Sequence, residues 1–190
     1  LWMTENLKVT NYSDGSAIQT GLDNDAWVNT TEGAYAVYPT DNDEASQSTC
    51  GDDCAAVYGN LYNWYAIDDD RGICPEGWHV PSDDEYTILT TYLGGISVAG
   101  GKMKETGFEH WISPNTGATN ESGFTGLPAG YRSYSNGSYL IMGTNGYFWS
   151  SSAETISNNA WYRLLSYSSS NVARYNLYKQ FGFSVRCLAD

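Results

Sequence analysis

The residues from Cys74 to Tyr86, CPEGWHVPSDDEY, set a cysteine five positions before one of the chain's two histidines. A thiol becomes a nucleophile when a neighbouring base takes its proton, so Cys74 and His79 have the residue types of a cysteine-dependent enzyme. The same stretch also has the residue types of a structural pin, and the rest of the chain must decide between them. Acidic clusters offer a second chemistry. Asp23-Asn24-Asp25 and Asp41-Asn42-Asp43-Glu44 repeat one pattern, Asp52-Asp53 lies between two cysteines, and Asp68-Asp69-Asp70 precedes Cys74. Calcium gathers about six to eight hard oxygens from loops of this kind. The window from Asp41 to Asp52 is not an EF-hand, because Ala45 and Ser46 stand where that loop requires an acid and a glycine. Taken singly, each cluster reads as a solvated acidic face.

Aromatic residues offer a third. The segment from Pro114 to Ser152 is rich in Tyr, Asn, Gly and Ser, and Arg132 is its one basic residue. This is the composition that binding loops favour, combining rigid amphipathic rings with adaptable hydrogen-bonding groups. Tyr131, Tyr134, Tyr147 and Trp149 are candidate platforms for sugar rings, and Arg132 is a candidate partner for the carboxylate of a peptide end. Phe148 and Trp149 alternate along a strand, so one of them faces inward. Gly-x-Ser-x-Gly, His-Glu-x-x-His and phosphate-cradling signatures are absent from the sequence. Carboxylates abound, but nothing in the sequence places two of them across a cleft as a glycosidase needs.

Composition narrows the classes. The 190 residues carry 22 Asp and Glu against 9 Lys and Arg, a net charge of −13. That balance argues against neutralising nucleic-acid phosphates and against an anionic membrane surface. No apolar run approaches the ~18 residues of a membrane span. The chain opens at Leu1 without a signal peptide, and the expectation is a segment excised from a longer precursor. Cys50, Cys54, Cys74 and Cys187 form an even set, which favours disulfides and an extracellular setting. Zinc is the competing reading, but Cys50 and Cys54 lack a matching second pair, and neither His79 nor His110 stands at ligand spacing.

The elements that must position these groups belong to one domain, residues 1–190, with no linker or repeat. Ser82 to Glu85 is a capping box, Tyr86, Leu89, Thr90 and Leu93 recur at helical spacing, and Gly94-Gly95 ends the helix. The acids of the opening stretch therefore have a structural task at a helix N-terminus. A second helix is expected over Val98 to Glu105, weakened by Gly100-Gly101. Strands are expected over Asn60–Ile67, Tyr139–Met142, Tyr147–Ser150, Ala160–Leu165, Val172–Tyr178 and Phe183–Leu188, separated by Gly, Asn and Ser clusters. The class is α+β, with a small antiparallel sheet and long irregular loops.

In order along the chain stand WMTENLKV, YGNLYNWYAI, CPEGWHVPSDDEY, LGG with AGGKMKETG, HWISPNTGATNESGFTGLPAGYR, GYFWSSS and GFSVRCL. Together, from Trp2 to Cys187, they closely resemble the Fibrobacter succinogenes major paralogous domain, a module of bacterial secreted and surface proteins. The resemblance implies a C-type-lectin-like fold, related to the formylglycine-generating enzymes, with two helices on small antiparallel sheets and a disulfide staple. By this analogy Cys74 pairs with Cys187 and Cys50 with Cys54. Trp78 becomes a core residue between helix and sheet, and His79 a packed or hydrogen-bonding one, so the opening stretch reads as a hinge pin. Folds of this kind often hold calcium in their long loops, and Asn120-Glu121 lies in the matching part of this chain.

These readings converge on a non-enzymatic extracellular ligand-binding or adhesion module of a bacterial surface protein. Its expected cofactor is calcium, held by Asp41, Asp43, Asp52 and Asp53 or by Asn120 and Glu121. Its expected ligand is a peptide terminus or a glycan, met by Tyr131, Arg132, Tyr134, Tyr147 and Trp149, with no nucleic acid and no membrane insertion. The alternatives are a structural spacer that binds nothing and an enzyme on a formylglycine-generating-enzyme-like fold.

Overall fold

A computed structural model describes residues 1–40 and 50–190. Helices and strands take up less than half of them. Three short helices each start on an Asx cap, the side-chain oxygen accepting a backbone N–H that the first turn leaves free. They are α1 (Asn24–Asn29), capped by Asp23, α2 (Cys54–Tyr58), capped by Asp53, and α3 (Trp64–Ile67), capped by Asn63. The segment expected as one strand from Asn60 is thus split. Only β2 (Leu61–Tyr62) pairs, with β1 (Tyr35–Ala36), before the Asn63 cap turns the chain into α3.

β3 (Trp78–His79) leads into α4 (Asp83–Tyr92), whose capping box is complete: Ser82 accepts from the Glu85 N–H, and Glu85 accepts from the Ser82 N–H. The second long helix, α5 (Ile96–Met103), begins and ends two residues earlier than the sequence suggests. Its two glycines permit close approach. A Cβ on Gly100 would stand 2.2 Å from the Asn171 oxygen, and one on Gly101 would stand 2.2 Å from the Gly117 oxygen. A pair that weakens a free helix here lets two loop backbones lie against it.

A minor pair, β4 (Tyr131–Arg132) with β5 (Tyr139–Leu140), precedes the main sheet. That sheet is an antiparallel meander of β6 (Asn145–Ala153), β7 (Asn159–Ser166) and β8 (Val172–Tyr178). Both its faces are covered. Tyr147, Trp149 and Tyr162 point into a large aromatic cluster with Phe181, Phe183 and Val185. Phe148, Leu165 and Val172 point the other way, against Tyr86, Ala99 and Met103 of the long helices. The expected strand over Phe183–Leu188 makes single bridges at Phe183 and Ser184 and becomes regular only in β9 (Leu188–Ala189), paired with β3. The N-terminal segment runs beside it, Met3 donating to Cys187 O at 3.0 Å and Leu7 to Val185 O at 2.9 Å. Cys74–Cys187 and Cys50–Cys54 are the two disulfides. Trp78 is half-buried against the large cluster, so the aromatic that joins helix to sheet is Phe148 instead.

Helix α4 is locked to the sheet by charge as well as by packing. Asp83 is buried and receives Arg163 Nη1 at 2.6 Å and Arg174 Nε at 2.9 Å, while Arg163 also donates to the Asp83 main-chain oxygen and to Thr87 Oγ1. Burial works to raise the Asp83 pKa, but the hydrogen bonds from Arg174 and Arg163 outweigh it and the pKa falls. Removing one member of a buried pair leaves its partner charged and unsatisfied. Asp83→Ala is therefore expected to lower stability by about 3 to 5 kcal/mol in urea unfolding. A loss under about 1 kcal/mol would show the pair to be no more than a surface bridge.

Candidate functional site

Cys74 and His79 do not form a catalytic dyad. The thiol is oxidised in the bridge to Cys187. The imidazole stands between two carboxylates, Nδ1 at 2.7 Å from Asp190 Oδ1 and Nε2 at 3.0 Å from Glu85 Oε1. Two acceptors on two ring nitrogens call for two N–H donors, which only imidazolium has. The hydrogen bond to Asp190 is the strongest influence, burial opposes it, Glu85 adds to it, and the net effect is a raised pKa. His79 thus ties β3 and the end of β9 to the first turn of α4.

The acids divide by task. Asp41 and Asp43 lie outside the described residues. Asp53 caps α2, Asn120 binds Thr125 through both its amide atoms, and Glu121 faces Lys102 at 3.4 Å. Asp52 is exposed. Among the described residues no three His, Cys, Asp or Glu side chains gather around a point. That speaks of acidic cages alone, since calcium also takes carbonyl, amide and water oxygens. The triplet at Asp23 is a helix start, and Asp69 is held by Arg71 at 2.7 Å, which takes its pKa down to about 2.

The aromatic candidates separate more sharply. Trp149 is completely buried and donates its indole N–H to Tyr62 O at 2.9 Å, so it offers no face to a ligand. The expectation of a platform there is corrected, and the reason is the covered sheet: both alternating residues, Phe148 and Trp149, face inward. Arg132 is corrected likewise. It is 3% exposed, stacks 4.4 Å above Trp27, and donates to the main-chain oxygens of Gly137 and Leu22. Tyr147 is nearly buried, whereas Tyr131 and Tyr134 keep part of their surface in solvent.

Tyr131 and Tyr134 are the middle of something longer. Ring contacts run from Tyr175 to Tyr162 at 6.3 Å, to Tyr147 at 5.7 Å, to Tyr131 at 5.3 Å, to Phe181 at 5.4 Å, to Tyr134 at 4.8 Å and to Tyr178 at 4.6 Å. Phe183 and Trp149 lie beneath this arc, 4.3 Å apart. Its two ends are open, with Tyr175 55% and Tyr178 44% exposed. Sequence reasoning missed both, although VARYNLY was read as a strand. The available signal was their place on the last strand of the meander, whose outer edge no further strand covers among the described residues. A cleft of about 1030 Å³, lined by Trp2, Ile88, Tyr92 and Phe124, includes only Glu121 of the expected residues.

The raised pKa of His79 fixes the sign of one pH effect. A raised folded-state pKa contributes stability that is fully present below about pH 6.5, the unfolded value, and is lost as pH rises through the folded value. His79→Gln should remove this slope from the stability profile above about pH 6.5. An unchanged profile in the variant would assign the slope to other groups.

Comparison with curated proteins and with solved structures returns no match for the chain. Its length is nonetheless accounted for by a single sequence family, matched from residue 1 to residue 189 and including the cysteine, capping-box and Phe-Ser-Val-Arg-Cys segments just described. The chain belongs to the Fibrobacter succinogenes major domain family.

Proposed function

We propose that this domain is a non-enzymatic binding module of a secreted or surface protein, and that the aromatic arc is its ligand-facing surface. The observation that carries the reading is the unbroken path of ring contacts from the buried Trp149 and Phe183 to the exposed Tyr175 and Tyr178. Rings fixed by a packed core lose little freedom when a ligand settles on them. Exposed tyrosines present a flat apolar face and a hydroxyl, which suits the alternating CH faces and hydroxyl edges of a sugar. With Arg132 enclosed, a peptide carboxylate has no cation in the arc to meet it, so a neutral glycan is the favoured ligand. The two disulfides support an extracellular location, and no helix among the described residues is long and apolar enough to cross a membrane. With all four cysteines in disulfides, thiol chemistry of the formylglycine-generating kind has no thiol to use.

A C-type-lectin-like architecture and a calcium requirement belong to the same proposal. The excess of acids over cations supports a bound divalent ion in the segment from Asp41 to Asp53, where unneutralised carboxylates repel one another.

Binding to immobilised neutral glucans, mannans and galactans tests the first part. Tyr134→Ala and Tyr178→Ala should each weaken binding about tenfold, about 1.4 kcal/mol, with the melting temperature nearly unchanged. Full retention of binding in both variants would move the site elsewhere, and no binding to any glycan would favour a spacer. Calorimetric titration with calcium tests the second. A hundredfold excess over the dissociation constant should add about 2.7 kcal/mol of stability, and a flat titration leaves these acids as a solvated face.

A further inference from the structure

Lys104 follows the last residue of α5 and is entirely buried. Its Nζ donates to the main-chain oxygens of Thr116 at 3.0 Å, Ser166 at 2.8 Å and Ser169 at 2.9 Å. An ammonium has three N–H donors, and here each meets one carbonyl. The Trp111 ring lies 5.3 Å from the nitrogen, and no carboxylate among the described residues pairs with it. Burial takes the lysine pKa down to about 8, with no charged group contributing, so the amine remains mostly protonated at neutral pH.

The three oxygens come from two segments far apart in sequence. Thr116 lies in the loop after α5, Ser166 ends β7, and Ser169 belongs to the turn into β8. The same segments touch again nearby, Thr116 donating to Tyr167 O at 2.7 Å, Gly101 to Ser170 O at 3.0 Å and Thr119 to Gly101 O at 2.9 Å. Gly100 and Gly101 admit them to within contact of the helix backbone. Separations of 2.8 to 3.0 Å fit N⁺–H···O bonds. They are longer than the roughly 2.3 to 2.6 Å at which oxygens hold calcium.

We propose that the main-chain oxygens of Thr116, Ser166 and Ser169 form a cation site selective for a primary ammonium, occupied by the protein's own Lys104. The tethered cation does for the loop of residues 113–126 what a free metal ion does in other long loops: it draws carbonyls of separate segments onto one point. Asn120 and Glu121 are then carried by a loop whose order comes from within the chain, independently of any calcium near Asp41 to Asp53.

Shortening the side chain tests this. Lys104→Ala leaves room for the atoms from Cγ to Nζ, the size of n-propylammonium. The variant should melt at a lower temperature and exchange amide hydrogens faster at residues 115–119 and 166–170. n-Propylammonium should restore both toward the parent values, and tetramethylammonium at equal ionic strength, which has no N–H, should not. Equal effects of the two ions would overturn the site. If the variant does not fold, the parent protein decides. At pH 7.5 Lys8, Lys102 and Lys179 should be acetylated while Lys104 is not, and chelator should leave exchange at 115–119 unchanged. Acetylation of Lys104 without loss of structure, or loosening of 115–119 in chelator, would refute the proposal.

Discussion

A fold built largely from irregular backbone must find donors for its buried carbonyl oxygens, and in this domain buried cations supply them. Arg186 is the clearest case. It is completely enclosed, its Nη1 donates to Met3 O and Phe124 O, its Nη2 to Thr125 O at 2.9 Å, and its Nε to Asn6 Oδ1 at 2.8 Å. Three segments, near residues 3–6, 124–125 and 183–187, are held by one guanidinium. Burial lowers its pKa to about 9, which still leaves it charged at neutral pH. Phe124 lies under its face at 4.5 Å. Lys104 repeats the arrangement for the loop after α5, and Arg132 repeats it for the chain around Leu22 and Gly137. Helix and sheet ladders satisfy backbone groups by repetition. Here single side chains do it by reach, because the five donors of arginine and the three of lysine can serve carbonyls that share no regular geometry.

This use of cations shapes the outside of the molecule. Beyond the three carbonyl binders, Arg163 and Arg174 share Asp83, Arg71 holds Asp69, Lys179 stacks 4.2 Å from the Trp64 ring, and Lys8 and Lys102 face Glu5 and Glu121. All nine basic residues are therefore engaged, against 22 acids. A field of one sign repels polyanions at a distance before any contact is made. The aromatic arc, assembled from phenols and one phenyl ring, is a surface on which this field has little hold. Both features are compatible with the neutral ligand proposed for the arc.

The sequence disclosed the parts of the fold governed by local rules. The capping box at Ser82, the extent of β8 and the glycine stop after Leu93 depend on neighbours within a few positions, and each stands where expected. The boundaries that failed depend on distant partners. Leu61 pairs, but the Asn63 cap diverts the chain into α3, and Phe183 to Cys187 bond singly to several segments instead of lying in one sheet. α5 forms in spite of Gly100-Gly101 because the loops that need those glycines lie at residues 117 and 170–171. Of the proposed site, Tyr131 and Tyr134 were legible in the sequence as candidate platforms, and both are half-buried. Tyr175 and Tyr178 were not legible, since a tyrosine on a strand is core or surface according to which edge of the sheet it occupies.

Arg132 shows why the misreading was systematic. In a Tyr-, Asn- and Gly-rich segment a lone arginine looks like a ligand contact, on the assumption that loops lie on the surface. That assumption fails where loops pass through the interior, for then their carbonyls compete for every donor. An arginine in such a segment is claimed by the backbone before any ligand arrives. Its neighbours Trp27 and Tyr139 complete the enclosure, at 4.4 and 5.0 Å from the guanidinium carbon. The same logic assigns opposite fates to residues adjacent in sequence. Arg132 is drawn inward because it can donate, and Tyr131 beside it stays half-buried at the boundary with solvent.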